Sequence, residues 1–161
     1  MVWTYLANAI NSKNHLVQTV YTSTAAKVTC ATVLPYDDTI PQKTEGDEVL
    51  TLSITPKSAT NILQIIFCGL QSFVTNNQYA LQAALFQDDT DNALAAVGAE
   101  TFNNAGYLNH LMLAGTTSAT TFKIRCGGDP GDLQINATNA GALFFNGVAS
   151  TVLIIREYIS I

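Results

Sequence analysis

Two histidines, three cysteines and a scatter of carboxylates are the groups through which this chain could do chemistry. His15 opens a strand-like run, and no GxSxG nucleophile elbow accompanies it. His110 falls between Leu108 and Met112 on one face of an alternating pattern, the setting of a packed or rim histidine. Triads assemble from distant positions, so spacing alone leaves a Ser/His/Asp or Cys/His site open. No residue is assigned a catalytic role. Cys30, Cys68 and Cys126 are odd in number and lack the clustered or paired spacing of a zinc site or a disulfide framework. Each lies in an apolar strand pattern, where free cysteine packs as a small hydrophobe. Buried, reduced thiols are expected at all three.

The carboxylates offer one weak metal candidate. Asp88, Asp89 and Asp91, followed by Asn92, carry oxygen ligands at the short spacing that calcium favours, but without the glycine and distal glutamate of an EF-hand. A polar hairpin tip is the plainer expectation. Asp37, Asp38, Glu45, Asp47 and Glu48 read as a solvated loop or as acid facing a basic partner. The run Gly127-Gly128-Asp129-Pro130-Gly131-Asp132 lacks the Lys-Ser/Thr and the helix of a phosphate-binding loop, so it is expected to be a hairpin connection. No cofactor is implied. Asn136-Ala137-Thr138 matches a glycosylation sequon by residue type alone.

These groups sit in an unusual background. Only 12% of the 161 residues are charged, against about 25% in typical domains, while Thr, Asn and Ala supply about a third. Such a surface brings few charges that must be desolvated on contact, which favours association between protein chains. The net charge is −5, and the seven Lys/Arg are spread singly, so no stripe exists to neutralise nucleic-acid phosphates. The apolar opening, Met1–Ile10, has no basic n-region and is not expected to act as a signal peptide. No run approaches 18 apolar residues, so no membrane insertion is expected.

Period-two alternation dominates the chain and helical periodicity is nearly absent. Leu50, Leu52 and Ile54 share one face, as do Leu63, Ile65 and Phe67, then Tyr79, Leu81, Ala83 and Leu85, then Phe122, Ile124 and Cys126. Further strands are predicted at His15–Thr22, Lys27–Val33, Ala93–Thr101 and Tyr107–Ala114, the Ala-rich third one admitting a short helix instead. Thr151–Ile159 is apolar on both faces and is predicted to lie inside a sheet. Turn chemistry separates these runs at Thr55–Ser58, Asn76-Asn77, Asp88–Asn92, Asn103–Gly106 and Gly127–Gly131. Eight to ten short strands predict an all-β fold, an antiparallel β-sandwich or jelly roll, as one domain over 13–161 with an N-terminal arm over 1–12.

The segment Pro35–Phe67, with its pattern PxDDTIPQxTEGDE…TPxSATNxL, resembles small all-β modules of tailed-bacteriophage virions. Such modules serve as capsid-decoration, head-fibre or tail-fibre proteins. Thr121–Gly128 and Ser150–Tyr158 extend the resemblance over most of the chain. It implies a virion protein assembled in the host bacterial cytoplasm, trimeric, and partnered by itself and by proteins such as the major capsid protein. Trp3, Tyr5 and Leu6 are the expected anchoring residues, because large aromatics with a polar handle dominate interface energetics. The short arm favours a decoration or head-fibre subunit over a receptor-binding tip, which would follow a long shaft. A tip would instead bind a host surface glycan or protein. A glycan depolymerase would require paired Asp/Glu across a groove.

Overall fold

In the computed structural model the strands pair as nested antiparallel partners, first with last and inward from there. Residues 15–73, 80–100, 103–129 and 132–159 are described. Their strands are β1 (Leu16–Thr24), β2 (Val28–Cys30), β3 (Asp47–Ile54), β4 (Ile62–Phe73), β5 (Ala80–Gln87), β6 (Ala95–Glu100), β7 (Asn103–Leu113), β8 (Thr120–Asp129), β9 (Leu133–Ile135) and β10 (Thr151–Tyr158). The nested pairs are β1 with β10, β2 with β9, β3 with β8, β4 with β7 and β5 with β6. Rolling this long double ribbon brings β10 and β9 against β4, and β8 against β5. One sheet then runs β1-β10-β4-β7, with β9 and β2 continuing beyond the end of β10, and the other runs β3-β8-β5-β6. This is jelly-roll connectivity in an antiparallel sandwich, the predicted fold class.

Alternation places the core. Strand β10 buries Thr151, Leu153, Ile155 and Glu157 and leaves the intervening side chains half-exposed. Strand β8 buries Phe122, Ile124 and Cys126, which meet Leu63, Ile65 and Phe67 of β4 between the sheets. β10 lies between β1 and β4, as its two apolar faces require.

Several expectations are corrected. The strand predicted at Lys27–Val33 is only Val28–Cys30, because the Thr32 N–H and hydroxyl turn aside to the Asp47 carboxylate at 2.9 and 2.8 Å. Asn103–Gly106 is not a turn but the start of β7, paired through to the far end of β4. Gly127, Gly128 and Asp129 belong to β8 rather than to a hairpin connection. The Ala-rich segment is a strand paired to β5, as predicted, and not the alternative helix. The sequence pattern did not disclose β9, nor the 3-10 turn at Phe144–Gly147. Cys30 and Cys126 are buried, but Cys68 points outward from β4 and is exposed. Burial pushes the Cys30 thiol up to about 12, with the Asp47 charge adding to the shift, and burial raises Cys126 as well. Asn76-Asn77, Tyr79 and the whole arm, including Trp3, Tyr5 and Leu6, lie outside the described residues.

One buried carboxylate joins the ends of four segments. Glu157 is inaccessible to solvent. Its Oε1 accepts from the N–H groups of Lys57 and Ser58 at 2.8 and 3.4 Å and from Asn61 Nδ2 at 2.6 Å. Its Oε2 accepts from Gln18 Nε2 at 2.6 Å, and Gln18 also donates to the Thr55 carbonyl at 2.9 Å. Burial acts to raise this carboxyl, but the donated hydrogen bonds outweigh it and hold Glu157 below its ordinary value. A depressed folded-state value stabilises the protein above the unfolded carboxyl's value of about 4.3, and the effect disappears as pH falls through the lower folded value. Glu157→Gln should therefore cost about 2–3 kcal/mol at pH 7, since the amide presents N–H groups to donors. Urea melts of both proteins should converge on moving toward pH 3, where wild type loses its advantage; an equal gap at both pH values would contradict this.

Candidate functional site

The long connection from Ala31 to Gly46 does not hang in solvent; it crosses the outer face of the β3-β8-β5-β6 sheet. Gly127 makes the crossing feasible, because a Cβ there would sit 2.6 Å from the Leu34 nitrogen and 2.8 Å from the Thr32 carbonyl oxygen. Gly46, at φ +60°, turns the chain back into β3 within reach of the Cys126 carbonyl. Arg125 Nε and Nη2 donate to the carbonyls of Glu45 and Gly46 at 2.7 and 2.6 Å. Leu34 and Ala93 cover Ala84 and Phe86, so β5 is buried on both faces.

Of the acids in and beside the loop, Asp47 serves this attachment, Asp37 and Glu45 shape the loop itself, and Asp38 and Glu48 face solvent. Partial burial acts to raise Asp47, but the Thr32 hydrogen bonds, helped by Ala31 N–H and Arg125, hold it below its ordinary value. Glu45 accepts from the Gln42 N–H at 2.8 Å. Asp37 Oδ1 accepts from the Thr39 N–H and hydroxyl at 2.8 and 2.6 Å, which lowers its pKa. Asp38 and Glu48 are exposed.

The weak cation candidate does not assemble. Asp88, at φ +51°, turns its carboxylate to the Thr120 hydroxyl and the Thr121 N–H, at 2.9 and 2.8 Å. Asp89 and Asp91 receive the Lys43 ammonium instead, at 2.9 and 3.0 Å. The hydrogen bond from Lys43 holds Asp89 below its ordinary value. Among the described residues, no group of three His, Cys, Asp or Glu draws together as a metal site. His110 is half-buried and lowered by that burial; it faces the interior beside Ile65, while His15 is exposed. Asn136 of the sequon is buried at φ +61° and donates to the Thr24 and Ala26 carbonyls at 2.9 and 3.1 Å.

What the crossing loop does create is a cleft of about 210 Å³. Its outer wall is Leu34, Pro35, Tyr36, Asp37, Thr39 and Pro41. Its floor is Gln82 of β5 with Ala96, Val97 and Gly98 of β6, and Gln82 pairs directly with Gly98 across the ladder. The Tyr36 ring lies against Gly98, where a Cβ would come 3.0 Å from Cε2. Asp129 Oδ2 accepts from the Tyr36 N–H at 2.8 Å and fixes the ring's base. The ring is 51% exposed. The lining holds the Asp37 carboxylate, the hydroxyls of Thr39 and Tyr36, the Gln82 amide and an aromatic face, and no Lys, Arg, His or Cys. Sequence reasoning missed this cleft. The available signal was the small-residue run of β6, Ala95-Ala96-Val97-Gly98-Ala99, which leaves room for something to lie on it.

No protein-family model matches the chain. No curated protein matches it either. Among solved structures, the sugar-binding EclA C-terminal domain is 13% identical with a TM-score of 0.40, covering 78% of this chain and 80% of that one. The infectious bursal disease virus VP2 subviral particle gives 13% identity and 0.38 over 91% of this chain and 42% of that one. The enzymatically active domain of bacteriophage CBA120 tailspike protein 4 gives 12% and 0.26 over 90% and 20%. This chain thus spans less than half of the VP2 chain and a fifth of the tailspike chain. At such scores no role passes from these proteins to this one.

The loop's attachment through Gly127 can be tested directly. Gly127→Ala should destabilise the protein by about 1–3 kcal/mol, because the clash is with backbone atoms that cannot rotate away. Trypsin should then cut after Lys43, which in the wild type is held between Asp89 and Asp91. Equal resistance of the two proteins at Lys43 would contradict the account.

Proposed function

We propose that this chain is a non-enzymatic structural subunit of a bacteriophage virion, an oligomeric capsid-decoration or head-fibre protein, most simply a trimer. The observation that carries the reading is the unequal treatment of the two sandwich faces. One outer face is covered by the chain's own loop; the other, on β1-β10-β4-β7, is left bare by the described residues. Across it run Tyr21, Ile154 and Ile66, ending in Asn109, in one cross-strand row, and Val152, Cys68 and Tyr107, beginning from Ser23, in the next. Tyr21 is 71% exposed and Tyr107 56%, while Val152, Ile154 and Ile66 are half-buried. In these rows and the adjoining one, Thr19-Arg156-Gln64-Leu111, Arg156 alone carries a charge. Contiguous apolar surface of this kind marks an interaction site, and the low charge of the chain lowers the cost of covering it. The resemblance to small phage virion modules supplies the context, with the major capsid protein as the further partner and the virion as the location. Trp3, Tyr5 and Leu6 remain the proposed anchors to that partner.

The cleft under Tyr36 favours a second reading, the receptor-binding tip of a tail fibre or spike, since a tip requires a ligand site facing outward. The two readings share the assembled virion and differ in what the exposed face does.

Light scattering at micromolar concentration should give an oligomer for the wild type and a monomer for Ile66→Glu with an unchanged circular dichroism spectrum, because a charge at the centre of the face cannot be buried unpaired. Cys68 reports the same event. Ellman's reagent should leave the native oligomer unmodified and label one thiol per chain in Ile66→Glu, Cys30 and Cys126 being sealed in the core. A monomeric wild type with a reactive Cys68 would overturn the reading.

A further inference from the structure

We propose that the cleft beneath Tyr36 is a binding site for a neutral saccharide, taking one pyranose ring of a glycan. The inference is independent of how the subunit assembles, because the cleft opens on the sandwich face opposite the bare β1-β10-β4-β7 sheet.

The lining disfavours anionic and wholly apolar ligands, and a cation, which Asp37 and the Tyr36 face would attract, is the competing class that choline tests below. It holds no Lys, Arg or His, and its single carboxylate, Asp37, is kept ionised by Thr39. An anionic ligand would meet uncompensated negative charge. A wholly apolar ligand would strip water from the exposed Asp37 carboxylate at the cost of its hydration. The volume, about 210 Å³, is below the roughly 300–1,000 Å³ of sites for larger ligands, so a single ring-sized group is accommodated.

A pyranose matches what is left. Its C–H face is apolar and weakly positive, and the face of Tyr36 carries the complementary negative quadrupole. The ring is prepared for that contact: Gly98 lets its Cε2–Cδ2 edge approach β6 closely, and Asp129 accepts from the Tyr36 backbone N–H. Sugar hydroxyls donate readily to a carboxylate, and both Thr39 bonds fall on Asp37 Oδ1, leaving Oδ2 with its accepting capacity. The wall is braced by Pro35 and Pro41, which lowers the ordering cost of binding.

The test is a set of NMR titrations of the full-length protein with glucose, galactose, mannose and N-acetylglucosamine, beside choline and inorganic phosphate as charged controls. At least one sugar should bind with a millimolar constant, perturbing resonances of residues 34–41, 82 and 96–98. Tyr36→Ala and Asp37→Asn, each confirmed as folded by an unchanged melting profile, should each weaken that binding by about tenfold or more. Since Tyr36 and Asp37 act on the ligand through different forces, retention of affinity in both variants would overturn the assignment. So would perturbation by choline or phosphate in place of the sugars, or no perturbation by any sugar up to about 50 mM, a concentration well above millimolar constants.

Discussion

At one end of the sandwich a single carboxylate, Glu157, meets four donors drawn from β1, from the link between β3 and β4, and from the residue that precedes β4. The architecture depends on this contact because of how the strands are nested. The last strand must enter between the first strand and β4 for the sheet that holds all three to close. Its apolar residues fit that slot by alternation alone, and a shift of one residue would carry Leu153 and Ile155 to the outer face. Glu157 removes the ambiguity. A buried carboxylate is tolerable in only one register, the one that brings Gln18, Lys57, Ser58 and Asn61 to it, and every other register leaves it unsatisfied.

With the register set, the two outer faces acquire different fates. Over β8, Gly127 allows the segment 32–34 to cross in backbone contact, and Leu34 then seals Ala84 and Phe86. Asp47 ties the start of the loop to β3 through Thr32, while Asp37 and Glu45 bond within the loop and Asp38 and Glu48 stay exposed. Over β10 and β4 nothing of the described chain crosses, and Tyr21, Ile66, Cys68, Tyr107, Val152 and Ile154 stay uncovered. Under the proposed function the uncovered face is the one that packs and the loop-covered face, which carries the cleft, is the one displayed.

The fold was largely legible because period-two alternation records which side of each strand is buried. Leu63, Ile65 and Phe67, or Phe122, Ile124 and Cys126, need no knowledge of partners to be placed inside. What alternation does not record is a face covered by a loop. Ala84 and Phe86 lie on the side a single-layer reading assigns to solvent, whereas Cys68, expected to be buried as a small hydrophobe, lies on the outer side to which the alternation of Leu63, Ile65 and Phe67 itself sends it. Asn103–Gly106 was misread because its composition suits turns, whereas pairing with β4 overrides that propensity. The cleft was least legible of all. Tyr36, Asp37, Gln82 and Gly98 are spread over some sixty residues, and only the crossing made possible by Gly127 brings them together. Glu157 was hidden for a similar reason: in a closing strand a lone acid looks like an exposed end, not a hub.

The central claim, that one face packs while the other displays, is tested most directly by hydroxyl-radical footprinting of the native protein, with oxidation of each side chain read by mass spectrometry. The account predicts protection of Tyr21, Tyr107 and Cys68, all exposed in the single chain, together with strong oxidation of Tyr36. Oxidation of Tyr21 and Tyr107 as complete as that of Tyr36 would contradict it.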